Sequence, residues 1–530
     1  MTRARRVLST AVATLATTAG LLTTGTTTAQ ARSAPPPAPQ LHWGSCGEDL
    51  AEFECATATV PVDYDQPLGR TTTVALTRLP AKDAENRLGS LFTNPGGPGG
   101  SGVDFVHNSA ELAFSPEVRA RYDIIGFDPR AVAKSDPAHC FASQSAEDAV
   151  TGSVSFAFPL TRRELKEHLP LRQKIADACV ENAGDVMRHA STANVARDMD
   201  LLRRALGDRR MHYVGYSYGT YLGATYARLF PRSVGHLVLD GTFDPAAYSG
   251  SDGDDRSQGA RLGQGAAASE TYRQFLRMCE KAGDACALNE LGTPRRVVEK
   301  LLEDLKTTPV TAPDGTTVNY SVAVATIFQQ LYAPSLWAAL AEKLAGLADP
   351  TGSTSPSSPK PRTAAPPYSS VGEPLASSCV DSRHTLRPGR YQRLADAEDR
   401  AAPHFGRLRA WVGLECSFAQ VRDHDAFRGP WNQAVRKPVL VIGTRYDPST
   451  PYAHTRPYTD RFPDGRMLTV EGYGHTSLGK SRCADATVTR YLVDGQAPRD
   501  GARCAQDTPP FAPSTESERG RQRAVSSDLS

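Results

Sequence analysis

Apolar positions in this chain fall into short dense runs that end at glycine-rich corners, with stretches of helical spacing between them. Leu91-Phe92-Thr93 leads into "NPGGPGGSG" (94–102), and "YDIIGFD" (122–128) has the unbroken hydrophobicity of a strand buried on both faces. From Asn194 the spacing changes: Val195, Met199, Leu202 and Leu206 recur every three or four residues, which predicts a helix. "MHYVGYS" (211–217) and "HLVLDG" (236–241) read as strands, with a helix over 218–229 between them. Strand, helix, strand in this rhythm predicts an α/β protein with a mostly parallel sheet covered by helices on both faces.

The rhythm stops near residue 246 and resumes at "KPVLVIGTRYDPSTP" (437–451) and "RMLTVEGYGH" (466–475). The interval is helical in pattern and contains a Ser/Pro-rich stretch over 351–370. One sheet in two parts, 41–245 and 431–505, interrupted by a mainly helical lid over 246–430, accounts for this order. A Pro-rich linker (32–40) precedes the core, and composition predicts a disordered tail over 506–530.

The N-terminus predicts export. Arg3, Arg5 and Arg6 precede the Ala-, Thr- and Leu-rich run Val7–Leu22, and Ala29-Gln30-Ala31 is a small-x-small cleavage site, so residues 1–31 read as a signal peptide. The apolar run is too short and too diluted by threonine for a stable membrane anchor. The expectation is a secreted monomer, with the choice between the general and the twin-arginine export route left open by Arg5-Arg6. With 60 basic against 58 acidic residues, no electrostatic footprint for a nucleic-acid partner exists.

Ten cysteines in an exported chain predict disulfides, and pairing neighbours closes the shortest loops. The scheme is Cys46–Cys55, Cys140–Cys179, Cys279–Cys286, Cys379–Cys416 and Cys483–Cys504. No C-x-x-C is present, so a structural zinc site is not expected.

Candidate chemistry enters at Gly215-Tyr216-Ser217-Tyr218-Gly219, which fits G-x-S-x-G between a predicted strand and a predicted helix. Such a turn exposes a nucleophilic hydroxyl at a strained corner. A serine needs a base to take its proton, and the base needs an orienting carboxylate. Asp447 follows one later strand and His475 the next; His454, in the helix expected after Asp447, is the nearest rival base and reads as a surface histidine. Donors for a tetrahedral oxyanion are expected from the backbone N–H groups of Gly97 and Tyr218, since Pro98 has none. Gly474–Ser481 ("GHTSLGKS") also satisfies G-x-x-x-x-G-K-[ST]. A phosphate loop normally opens its sheet, whereas too little chain remains here to build one.

Taken together, "NPGGPGGSG", "GFDPRAVAKSDP", "VGYSYGTYLGATYARLFP", "LVLDGTFDP", "IGTRYDPSTPYAHT" and "GYGHTSLGKSRC" resemble the secreted bacterial tripeptidyl aminopeptidases. These are relatives of the prolyl aminopeptidases within the α/β-hydrolase fold. The resemblance spans roughly residues 41 to 505. It implies a serine exopeptidase that removes tripeptides from peptides with free N-termini, without metal or cofactor, using Ser217, Asp447 and His475. Relatives with similar motifs include esterases of small esters, which stay the alternative. The family pattern D-P-R-G-x-G-x-S reads Asp128-Pro129-Arg130-Ala131-Val132-Ala133-Lys134-Ser135, with alanine at two glycine positions. An aminopeptidase also needs a lid carboxylate for the substrate's ammonium, and the candidates are Asp381 first and Glu270 second.

Overall fold

The computed structural model describes residues 36–312, 315–350 and 368–512. The predicted signal peptide, most of the Ser/Pro-rich stretch and most of the predicted tail therefore lie outside the described residues.

Strands β1 (Gly44–Ser45), β2 (Glu54–Pro61), β3 (Thr71–Leu79), β4 (Gly89–Asn94), β5 (Tyr122–Phe127), β6 (Met211–Tyr216) and β7 (Val234–Asp240) come from the first part of the chain. After a two-strand hairpin in the lid, β8 (Val310–Thr311) and β9 (Thr317–Val318), the sheet takes up β10 (Val439–Tyr446), β11 (Gly465–Tyr473) and β12 (Ala502–Ala505). The order is β1-β2-β3-β5-β4-β6-β7-β10-β11-β12. Only the β1–β2, β2–β3 and β3–β5 pairs in it are antiparallel.

Alternate side chains of the central strands serve two cores. Ile125, Tyr213, Leu239 and Val441 face a layer that includes Met199, Leu202 and Leu222, while Ile124, Val214, Val238 and Leu440 face Phe105, Val106 and Tyr491. This two-sided burial explains why these strands read as continuous apolar runs.

The lid has its own core around the fully buried Trp337. The helix Arg162–Met187, in the first part of the core by its place in the chain, packs against the lid helices Gly372–Asp381 and Leu414–Ala419, and its Cys179 is bonded to Cys140. Leu171, Ile175 and Cys179 share a cluster with Ala376, Val380 and Cys416. The reason lies in tertiary packing: an amphipathic helix announces a buried face but not what covers it.

The tail starts later than composition indicates. Gln506 Oε1 accepts from Tyr473 N–H at 2.8 Å, and Phe511 packs on Phe275 and Trp337 with ring centroids 6.0 and 6.5 Å apart. Residues 506–512 therefore belong to the packed fold.

All five predicted disulfides form, with S–S distances of 1.94–2.05 Å, and no free cysteine is found among the described residues. Five bridges fit an oxidising compartment. No helix among the described residues is long and apolar enough to cross a membrane.

Candidate active site

Ser217 stands between β6 and the helix Tyr218–Leu229 with φ 52° and ψ −122°, a backbone conformation that L-residues rarely hold. The turn is this tight because its neighbours carry no side chain. A Cβ on Gly215 would come within 2.4 Å of the Gly219 carbonyl oxygen, so strand and helix could not meet so closely. Gly96 is equally constrained: a Cβ there would lie 2.7 Å from Tyr216 O and 2.8 Å from Ser217 Cβ. The glycine corner after β4 is thus pressed against the serine turn. Gly97, Ser217 and Tyr218 line one cavity of about 410 Å³.

Asp447 and His475 come together past the ends of β10 and β11. His475 Nδ1 lies 3.0 and 2.9 Å from the two carboxylate oxygens of Asp447. That carboxylate also accepts from the backbone N–H groups of Ser449, Thr450 and Thr476 and from Thr450 Oγ1. Burial alone would raise the Asp447 carboxyl, but the facing His475 and the hydrogen bonds from His475 and Thr450 outweigh it and hold it below its ordinary value. Asp447 stays ionised and directs the Nδ1 proton toward itself. His475 Nε2 is left buried and without a hydrogen-bond partner among the described residues.

Two further contacts set the histidine. Its N–H donates to the carbonyl of Tyr332 at 2.8 Å, and the Tyr332 ring stands edge-on to the imidazole with centroids 4.8 Å apart. Tyr332 belongs to the lid and lines the cavity, so the lid touches the imidazole directly. Beneath, Asp240 O accepts from Ser217 N–H at 2.9 Å, and the Asp240 carboxylate accepts from Ser477 N–H and Oγ. The rival His454 is elsewhere, its Nδ1 accepting from Asp244 N–H at 3.1 Å.

The phosphate-loop reading of 474–481 finds no support in the way the segment is used. Lys480 Nζ donates to the carbonyls of His475 and Thr476, and burial pushes its ammonium down to about 8. Its charge closes the loop on itself.

Neither predicted ammonium partner faces the cavity. Asp381 is fully buried, and its carboxylate accepts from Thr192 N–H at 3.0 and 3.2 Å and from Thr192 Oγ1. Glu270 sits on a lid helix, paired with Arg273 and Gln274. The acidic side chain that does line the cavity is Glu415. One of its oxygens accepts from Arg172 Nη1 at 2.9 Å; the other accepts from no described residue. Sequence reading missed Glu415 because it looks like any acid on a lid helix, and missed Arg172 because its helix lies, by its place in the chain, in the first part of the core.

Comparison with known proteins decides the family. Residues 90–259 match the alpha/beta hydrolase fold model and residues 402–504 the model described as TAP-like protein. Serine protease Hip1 of Mycobacterium tuberculosis is 31% identical over 508 residues, covering 90% of this chain and 93% of that protein. The chain is an α/β-hydrolase of the TAP-like family. This hydrolase is also 28% identical to the tripeptidyl aminopeptidase of Streptomyces lividans, covering 89% of this chain and 87% of that one. A third relative, carboxylesterase B of M. tuberculosis, is 30% identical and covers 90% of this chain and 92% of its own length. The hydrolase is accordingly a serine hydrolase, with relatives named as peptidases and as an esterase.

Proposed function

We propose that this hydrolase is a secreted serine exopeptidase that releases short N-terminal peptides, tripeptides in the first instance, from peptides with a free amino terminus. Ser217 Oγ attacks the scissile carbonyl as its proton passes to His475 Nε2, and the N–H groups of Gly97 and Tyr218 meet the oxyanion. His475 then protonates the leaving amine, and water releases the acyl group from Ser217 by the same steps in reverse. Asp447 holds the imidazole in the accepting tautomer before each attack and stabilises the imidazolium that forms between the two proton transfers.

The observation that carries the exopeptidase reading is the cavity itself. Its volume of about 410 Å³ lies between lid and sheet, with Ser217 and one carboxylate, Glu415, on its wall. Spaces of ~300–1,000 Å³ take small ligands, so a chain end fits and a folded protein does not. The half-occupied Glu415 carboxylate supplies a partner for the substrate's ammonium, replacing Asp381 and Glu270 in that role. The relatives named as serine protease and tripeptidyl aminopeptidase support the same reading, and the five disulfides support export.

An esterase is the competitor, favoured by the relative named carboxylesterase B. Free and N-acetylated tripeptide nitroanilides separate the two. A charge-assisted hydrogen bond to the ammonium is worth about 1.5–3 kcal/mol, and acetylation also leaves the second Glu415 oxygen without a donor and adds bulk beside it, so kcat/KM should fall about a hundredfold or more. Glu415→Gln should shrink that ratio. A ratio near one in the unmutated protein makes the esterase the better account.

A further inference from the structure

The wall of the Ser217 cavity carries three groups of formal charge among the described residues: Arg172, Glu415 and Arg409. The first two pair with each other. Arg409 has no carboxylate partner among the described residues. Its Nε donates to Gln264 Oε1 at 2.9 Å, its Nη2 donates to the same oxygen, and its guanidinium lies 5.0 Å from the Phe328 ring centroid. No described residue accepts from Nη1. Burial pulls this guanidinium below its ordinary value.

We propose that Arg409 is an anion subsite that receives a carboxylate carried on the leaving-group side of the substrate. Its position is built. Gln264 turns its oxygen to Arg409 because its Nε2 donates to Ser449 O at 3.0 Å, and Ser449 N–H donates to Asp447 Oδ1 at 2.8 Å. The residues that hold the orienting carboxylate therefore also aim the guanidinium. Ser449 N–H and His475 Nδ1 meet on the same Asp447 oxygen, so the chain from Arg409 through Gln264 and Ser449 puts Arg409 on the His475 side of the cavity. The leaving group must lie there too, because His475 hands it a proton.

An arginine is charged at any working pH, and its flat fork matches a carboxylate with two parallel N–H···O bonds. A half-buried guanidinium with a free donor nitrogen and no counter-charge is costly to keep, and an anionic ligand lowers that cost. Two sources offer the same chemistry: the C-terminal carboxylate of a short peptide cut one residue from its end, or an acidic side chain just after the scissile bond.

The inference rests on Ser217 and His475 acting as proposed above, and its test is arranged so that the two can fail separately. In one arm, tetra-alanine with a free carboxylate is compared with its C-terminal amide. In a second, Ala-Ala-Ala-Glu amide is compared with Ala-Ala-Ala-Gln amide. Arg409 predicts at least about a tenfold advantage in kcat/KM for the anionic member of one pair, and which pair shows it names the source. Arg409→Gln should bring that ratio near one, and Arg409→Lys should keep part of it. Ratios are internal to each variant, so a poorly folded fraction does not distort them. If no peptide is cut, the ester pair 4-acetoxybenzoate and its methyl ester poses the same question with a carboxylate on the leaving group. Ratios within about twofold in every pair that the unmutated protein cleaves would overturn the proposal, as would an anionic preference unchanged in Arg409→Gln.

Discussion

The carboxylate of Asp240 receives two hydrogen bonds from Ser477, one from its N–H at 2.9 Å and one from its Oγ at 2.7 Å. Asp240 O meanwhile holds Ser217 N–H. One buried residue therefore ties the serine turn to the loop that carries His475. Removing the side chain in Asp240→Ala leaves Ser477 N–H and Oγ buried and unpaired, which costs about 1–3 kcal/mol of stability. The His475 loop loses its anchor, and a displacement near 1 Å at a reacting group lowers turnover by about a hundredfold. Asp240→Asn keeps one acceptor and should fall between. Steady-state kinetics with urea unfolding on the same preparations checks both parts, and an unchanged kcat in Asp240→Ala removes the anchoring role.

Ser217→Ala should fold as the parent does and lose roughly 10⁴ or more in kcat. A serine-directed phosphonylating reagent should label the parent at Ser217 and the variant nowhere. His475→Ala should lose a similar amount, and the double variant little more, because residues acting as one unit are not additive. Full turnover in Ser217→Ala would dismiss it as the nucleophile.

Ala133 occupies one of the two positions at which the family pattern has glycine, and it adopts φ 45°. Its N–H donates to Glu373 Oε2 at 3.1 Å, which holds the loop in place despite the left-handed backbone. An L-residue in that region loses about 1–2 kcal/mol, and glycine returns about 0.4–1 kcal/mol of that through the looser unfolded chain. Ala133→Gly is therefore expected to stabilise the protein by up to about 1 kcal/mol in urea titration, with no change in kcat. A destabilised variant would mean that the alanine methyl is held by packing worth more than the strain.

Much of this arrangement could be read from the chain because it is local. Buried parallel strands must be apolar on both faces, so β5, β6 and β10 appear as unbroken runs, and Gly215 and Gly219 mark the turn at Ser217. Asp447 and His475 follow strand ends and sit in loops, where the chemistry of this fold class is placed. The neighbour pairing of cysteines needed only short loops. What escaped depends on which surfaces meet. The helix Arg162–Met187 shows an apolar stripe whether it covers a sheet or a lid. Asp381, Glu415 and Arg409 are single charges in a helical region, and nothing in their spacing separates a fully buried carboxylate from one on a cavity wall.

Asp381 itself yields the last prediction, now as a structural group. Burial pushes its carboxyl up to about 7 from the ordinary 3.8, with the hydrogen bonds from Thr192 pulling the other way and the nearby Asp423 adding to the rise. The folded protein thus holds a proton on Asp381 that the unfolded chain releases near pH 4. Because the native state binds more protons between those values, stability falls as pH rises from about 4 through 7 and is flat above. The slope is about 1.4 kcal/mol per pH unit where only the native form is protonated. Asp381→Asn resembles the protonated acid and cannot ionise, so it should lack this slope. Its Tm relative to the parent should climb steadily between pH 4 and 7, then level. Thr192 Oγ1 also contacts the Tyr218 hydroxyl, so the charge that appears when Asp381 ionises reaches the residue beside Ser217. The free-versus-acetylated substrate ratio, by contrast, should not change in Asp381→Asn, because its carboxylate does not face the cavity. A Tm difference that is constant with pH would show that Asp381 is ionised in the fold across the whole range. A collapsed substrate ratio would return it to the role of ammonium partner.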